Sequence, residues 1–406
     1  MADPTCDRAI TRNLPGTALF ITGVAALGFN LRAPITSLPP VFPELSATLH
    51  LSGAVVAVLA AVPVLCFGLF SPVAAPLARR FGEERVLLAA AALLAGGLLL
   101  RGVLASMLFP GTVIACGAIA FLNVLLPSLI KRRCPGRAGL LIGVYLMSLN
   151  AGAVLGSLVA VPVFQASGGS AALALGLWAV PATAAALVWL PQRRFRITPG
   201  GQTRPGRAGP GIAAVSRHLL AWQVMAYMGL QSLTYYAALS WLPVLLRDRG
   251  AGAVGAGGQL ALVNLGNAVT ALLLPVLAHR ARDQRLLVGV TTALSAAGLA
   301  GVWFAPLATS PGWALMLGLG QGASLGLAIY FMTARSPGPQ AAASLSGFAQ
   351  GGGYLVAAAG PLVIGFLHTA SGGWSLPVIT LLVVTTVQCA AGWLAGRNRV
   401  LPVLAG

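Results

Sequence analysis

Leu77-Ala78-Arg79-Arg80, followed by Glu83, Arg85 and Leu87, recurs farther along as Leu277-Ala278-His279-Arg280, followed by Asp283, Arg285 and Leu287, every residue displaced by the same offset. Farther along, Gly143 and Gly156 are answered by Gly347 and Gly360, with the same spacing between the two. A charged turn and a glycine spacing that both return describe a duplicated chain. The residues between the copies are apolar, so what is duplicated is a set of hydrophobic helices.

Working outward from the repeat, 57% of the 406 residues are hydrophobic and 8% are charged. A soluble surface cannot hide that much apolar area, and the apolar residues fall in blocks of about 20 or more, the length that crosses a bilayer. The blocks predict helices over 15–38, 51–78, 86–106, 109–130, 138–164 and 171–190, then over 218–246, 255–278, 286–306, 312–334, 341–368 and 374–396. The fold class is therefore an all-α membrane protein of twelve transmembrane helices in two pseudo-symmetric six-helix bundles. Residues 1–191 form the first bundle and residues 217–406 the second. Residues 192–216, rich in Arg, Gly and Pro without apolar periodicity, read as a cytoplasmic linker.

The net charge of +18 comes from Arg and Lys placed singly or in short runs between apolar blocks, not on one soluble face. Nucleic acid is excluded as a partner on that pattern, and membrane orientation explains it. With the N-terminus inside, the cytoplasmic segments collect Arg79-Arg80, Lys131-Arg132-Arg133, Arg193-Arg194, Arg280, Arg335 and most of the remaining cations. Only Arg32, Arg101, Arg247 and Arg249 fall elsewhere. The bias places both termini in the cytoplasm of a multi-pass inner-membrane protein, with anionic lipids expected against the Arg-rich face. Among eight Trp residues, Trp178 alone falls deep within a predicted helix; Trp189, Trp222, Trp241, Trp303, Trp313, Trp374 and Trp393 lie near helix ends, as an interfacial belt requires. Five Cys residues show no metal-ligand spacing and read as buried small hydrophobes.

The first helix carries Asn30-Leu31-Arg32-Ala33-Pro34, with Pro39 and Pro40 expected to end it. An Arg at membrane depth costs roughly 2.5–3.5 kcal/mol on insertion scales and normally faces a watery pathway. Arg32 is on that ground the first candidate for solute contact. Its competing role is that of an interfacial cation whose stem lies along apolar surface, and Arg101, near the end of the third helix, carries the same two readings. Two desolvated guanidinium groups suit a small anion, which accepts a charge-assisted fork. Asn30, Asn123, Tyr145, Gln231, Tyr235, Tyr236, Asn264, Asn267, Gln321, Tyr330, Gln350 and Tyr354 are the neutral polar groups expected to line a cavity or to join helices. All seven acidic residues fall in loops or at helix ends, which argues against a carboxylate proton relay at membrane depth. No catalytic set, phosphate-cradling loop or metal cluster emerges, so an enzyme is not expected, nor a cofactor or a resident metal.

The turn Pro76-Leu77-Ala78-Arg79-Arg80-Phe81-Gly82-Glu83-Glu84-Arg85 resembles the signature between the second and third helices of the major facilitator superfamily. It departs from that signature in having Arg79 where Asp is usual and Glu83-Glu84 where Arg is usual. Four further stretches resemble the cyanate and 2-nitroimidazole permease branch of that superfamily. They are Asn30-Leu31-Arg32-Ala33-Pro34 with Pro40; Asn123-Val124-Leu125-Leu126-Pro127-Ser128-Leu129-Ile130-Lys131; Gly229-Leu230-Gln231-Ser232 with Tyr236 and Trp241-Leu242-Pro243; and Leu345-Ser346-Gly347-Phe348-Ala349-Gln350 with Gly353-Tyr354 and Gly360-Pro361. The resemblance implies a monomeric carrier of a small solute working by alternating access, with Arg79, Arg80, Glu83, Glu84, Arg85, Asp283 and Arg285 as a conformational latch. Two other functions compete with an anion carrier: an exporter of nitroimidazole-like or other aromatic drugs, and a membrane sensor that no longer transports.

Overall fold

The computed structural model describes residues 14–103, 105–191 and 212–402. The linker expected over 192–216 lies almost wholly outside them, as do the first residues of the chain. Every regular element among the described residues is helical. The first half holds α1 (Leu14–Asn30), α2 (Ala33–Thr36), α3 (Phe42–Leu49), α4 (Gly53–Phe81), α5 (Glu83–Val103), α6 (Leu108–Arg133), α7 (Ala138–Ala166), α8 (Ala171–Gly176) and α9 (Ala179–Trp189). The second half holds α10 (Ile212–Val215), α11 (Leu219–Asp248), α12 (Ala253–Arg280), α13 (Arg285–Phe304), α14 (Ser310–Ala334), α15 (Pro339–Ser371) and α16 (Ser375–Ala395).

Eleven helical stretches are long and apolar enough to cross a membrane, by length and composition. The twelfth expected one, α11, has ample length at 30 residues. Its hydropathy is diluted by Gln231, Ser232, Thr234, Tyr235, Tyr236 and Ser240, all of which are buried within the fold. A membrane helix can carry such a row when the row faces protein rather than lipid.

Two expected helices are interrupted. The span expected over 15–38 breaks at Leu31–Arg32, before Pro39 and Pro40, and helical structure then resumes in pieces as far as Leu49. Pro34 has no N–H to donate to the Asn30 carbonyl, and its ring crowds that carbonyl. The backbone tightens at the break: Leu31 N donates to Gly28 O at 3.2 Å, Arg32 N to Phe29 O at 3.5 Å, and the Arg32 carbonyl accepts from both Ile35 N and Thr36 N at 3.0 Å. The span expected over 171–190 likewise divides into α8 and α9, just ahead of Pro181.

The chain separates into two compact units, Met1–His50 with Leu69–Thr198 and Leu51–Gly68 with Pro199–Gly406. In the first unit α1 packs on α7, and α5 packs on α6 and α9. In the second, α11 packs on α15 and α16, while α14 packs on α12 and α13. The N-terminal part of α4 is grouped with the second unit, a subdivision that the linker composition alone does not suggest.

Three of the Trp residues expected in an interfacial belt are buried instead. Trp189 is inaccessible and lies against Gly23, where a Cβ would stand 2.8 Å from its ring. The Trp241 indole donates to Pro361 O at 2.9 Å, and the Trp374 indole to Asp248 Oδ2 at 2.8 Å. Nearness to a helix end does not decide whether an indole meets lipid or a neighbouring helix.

Candidate functional site

The first unit presents its polar groups around the interruption after Asn30. Asn30 Nδ2 donates to Ala26 O at 2.8 Å and across to Pro181 O of α9 at 3.1 Å, so this buried amide ties one broken span to the other. Arg32 sits at the break, partly buried, and lies close enough to Tyr145 of α7 to act on it electrostatically. The Tyr145 hydroxyl donates to Asn123 Oδ1 of α6 at 3.2 Å. Arg32, Tyr145 and Asn123 therefore follow one another in a polar line.

Glycines hold that line in register. Thr36 Oγ1 donates to Ala153 O of α7 at 3.0 Å. A Cβ on Gly152 would stand 2.2 Å from Phe29 O, and one on Gly156 would stand 2.6 Å from Ala33 O. No side chain fits at either position. The broken span is thus pressed onto α7 backbone to backbone, the close approach that small residues permit in membranes.

Arg101 takes a different role from either one expected of it. It neither reaches an interface nor borders open space: it is 3% exposed, and its guanidinium donates to Pro34 O at 3.4 Å through both Nη atoms and to Leu175 O at 3.5 Å. These carbonyls belong to α2 and α8, next to the two helix interruptions. Interrupted helices release carbonyls, and a fork of several fixed donors can meet them.

The charged residues expected in a latch pair differently in the two units. Glu83 and Glu84 both pair with Arg132 of α6, at 3.1 and 3.9 Å, and Ser128 Oγ donates to Glu83 at 3.4 Å. Glu83, Ser128 and Arg132, together with Arg79 of α4, border a cavity of about 230 Å³ within the first unit. Gly82, at φ 90°, makes the turn that brings Glu83 there. Arg80 lies over the Phe81 ring at 5.2 Å, and Arg85 is exposed. In the second unit Asp283 turns back on Arg285, accepting from its backbone N–H at 2.8 Å and forming an ion pair with its side chain at 3.6 Å, so this pair closes locally.

The connecting role in that half falls to Arg335 and Gln284. Arg335, 3% exposed, donates to Gln284 Oε1, to Ala395 O at 2.9 Å and to Gly396 O at 3.1 Å, and its own carbonyl receives Leu401 N at 2.9 Å. Burial lowers its pKa from the ordinary guanidinium value, with Tyr330 and Asp283 acting in the opposite sense. Under the repeat Gln284 stands where Glu84 stands, and Arg335 ends α14 much as Arg132 ends α6. The duplicated contact has become amide to guanidinium in one half and carboxylate to guanidinium in the other. Neither Arg132 nor Arg335 could be told in the sequence from the other cations between the apolar blocks.

The remaining expected residues lie in the second unit. Gln231 Nε2 donates to Gln321 O at 3.3 Å and to Gln321 Oε1 at 3.4 Å, and Ser232 Oγ donates to Gln231 Oε1 at 3.2 Å. The Tyr235 hydroxyl donates to Asn264 Oδ1 at 3.1 Å. Asn267 is buried, with Gly322 laid against its backbone. Tyr235 and Tyr236 meet edge to face at 5.2 Å, and Phe67 contacts Tyr236 at 6.4 Å and Tyr354 at 5.9 Å. Phe67 joins this set from the N-terminal part of α4, a contribution that an apolar run in sequence does not announce. Tyr330 is half-buried beside Phe331, and Gln350 is exposed, its Nε2 reaching Met332 Sδ at 3.9 Å.

The sequence pattern of the Major Facilitator Superfamily matches residues 18–361. An uncharacterized transporter of Bacillus subtilis is 38% identical over 93% of this chain and 94% of its own. The 2-nitroimidazole transporter of Escherichia coli is 37% identical over 94% and 96%, and the cyanate transport protein of the same organism is 30% identical over 88% and 94%. Among solved structures, a bacterial homologue of the human lysosomal transporter Spinster, inward-facing, superposes with a TM-score of 0.79 at 17% identity, covering 95% of this chain and 98% of that one. A duplicated set of membrane-length helices, interrupted spans and relatives matched along nearly their whole length agree: this multi-pass membrane protein is a small-solute transporter belonging to the Major Facilitator Superfamily, in the branch of the cyanate and 2-nitroimidazole transporters.

Proposed function

We propose that the solute is a small anion, cyanate-like or organic, and that Arg32 is the group that meets its charge. The observation that carries this reading is the position of Arg32 at a helix interruption beside Tyr145, where irregular backbone in a membrane protein is tolerated when it lines a cavity or is buried in protein. A guanidinium offers a planar anion a two-pronged contact, and Tyr145 and Asn123 add neutral hydrogen-bonding groups that allow release. A second reading, a neutral nitroaromatic solute, is favoured by the Phe67, Tyr235, Tyr236 and Tyr354 rings, whose faces suit a flat heterocycle. A thermal-shift series on the purified protein separates them. Cyanate and benzoate-class anions should raise the apparent melting temperature in a dose-dependent way, following RT ln(1 + [L]/Kd). Stabilisation by 2-nitroimidazole with no response to any anion would select the second reading.

The proposed orientation, both termini cytoplasmic, rests on the Arg bias, and anionic lipids against that face and a monomeric state belong to the same proposal. Gly200→Cys, in a background freed of native cysteines, should react with a membrane-impermeant maleimide in inside-out vesicles and stay unreactive in intact cells. Labelling in intact cells would invert the topology.

A further inference from the structure

The second unit contains a polar cluster that the transport reading does not use. Tyr227 of α11, Ser324 of α14 and Gln388 of α16 are each 0% exposed, and Thr291 of α13 is 2% exposed. Their four helices pack on one another, α11 and α13 each against α14 and α16. The Tyr227 ring is locked there: it meets Phe331 at 5.5 Å, and Gly392 of α16 is bare against it, since a Cβ would stand 2.5 Å from the ring. Around them lies an apolar shell that includes Val224, Val288 and Leu327.

Ser324, Thr291 and Gln388 all lie within interaction range of the Tyr227 hydroxyl. Even so, the Tyr227 hydroxyl, Ser324 Oγ and both amide atoms of Gln388 complete no well-formed hydrogen bond with protein, and Thr291 Oγ1 is committed to Val288 O at 3.1 Å. Buried polar groups in folded proteins are nearly always satisfied by protein or by ordered water, and an amide with both ends unmet is the strongest exception. We propose that Tyr227, Ser324, Gln388 and Thr291 form a binding site for structural water that ties α11, α13, α14 and α16 together. The donor and acceptor set fits: hydroxyls that both give and accept, and an amide offering one of each, supply the two to four partners a buried water takes, roughly three on average. A monovalent cation is the poorer occupant. The acidic residues of this unit are Asp248 and Asp283, both at helix ends, so a charge here would have no carboxylate beside it.

The test is X-ray radiolytic footprinting of the full chain in nanodiscs, with H₂¹⁸O as the label. Radicals made from a bound water react with the side chain beside it, so Tyr227 should be hydroxylated at a rate comparable to the exposed Trp222, although its surface exposure is nil. Gln388→Met, or Ser324→Ala should that variant fold poorly, should cut the Tyr227 rate several-fold and leave Trp222 unchanged. An unlabelled Tyr227 in the wild type overturns the proposal, as does labelling indifferent to both substitutions. A melting-temperature response to exchanging sodium for choline, or chloride for gluconate, at constant ionic strength that is present in the wild type and abolished by Gln388→Met would assign an ion to the site and overturn it equally.

Discussion

Arg32→Lys is expected to weaken anion binding moderately, and Arg32→Gln to weaken it by about one to two decades, corresponding to a loss of roughly 1.5–3 kcal/mol for a charge-assisted contact. Lys keeps the charge but has no planar fork, and its compact ammonium engages a planar anion as a point charge. Gln keeps a donor and loses the charge. Both variants should fold, because the backbone break is imposed by Pro34 and by the contacts of Thr36, in which the Arg32 side chain takes no part. Binding of 2-nitroimidazole, measured at a pH low enough to keep its ring N–H protonated and the ring neutral, should be little changed across the series. Equal anion affinities in wild type, Lys and Gln would retire the anion reading in favour of the aromatic one.

Gly152→Val should leave little folded protein, and Gly152→Ala should lower stability by about 1–3 kcal/mol, the usual cost of overpacking. The reason is geometric. The atom facing the new Cβ, at 2.2 Å, is the Phe29 carbonyl oxygen, which cannot swing aside as a flexible side chain can. Relief requires α1 to move off α7, and that displacement carries Arg32 away from Tyr145. Gly152→Ala is therefore expected to weaken anion affinity as well, though it touches no proposed solute contact. Gly143, on the same helix, has nothing within 4 Å of its would-be Cβ. Gly143→Ala should be neutral or should stabilise α7 by up to about 1 kcal/mol through helix propensity. Chemical denaturation of the three variants beside wild type decides it, and a Gly152→Ala protein as stable as Gly143→Ala would mean that α1 and α7 do not approach as described.

These two glycines mark where local reading stops. Gly143 and Gly152 look alike in sequence, yet one faces open space and the other a carbonyl. Arg32 and Arg101 likewise began with the same pair of roles. Arg101 donates to carbonyls of α2 and α8, which lie far from it in sequence, whereas Arg32 stands beside Tyr145.

Apolar block length, the repeated charged turn and the Arg bias are local or periodic properties, and a bilayer forces them to mean helices, duplication and an expected orientation. From them the sequence by itself determined an all-helical membrane protein of duplicated plan, and the motifs that resemble the superfamily pointed to its family. The partners of each buried polar group were decided only in three dimensions. Pro34 rather than Pro39 breaks the first span, Arg132 and Arg335 carry the connecting contacts, and Tyr227 and Gln388 meet inside the second unit. A buried guanidinium, amide or phenol takes whichever carbonyl, carboxylate or hydroxyl the packing of distant helices brings within about 3 Å, and that choice is made by tertiary structure.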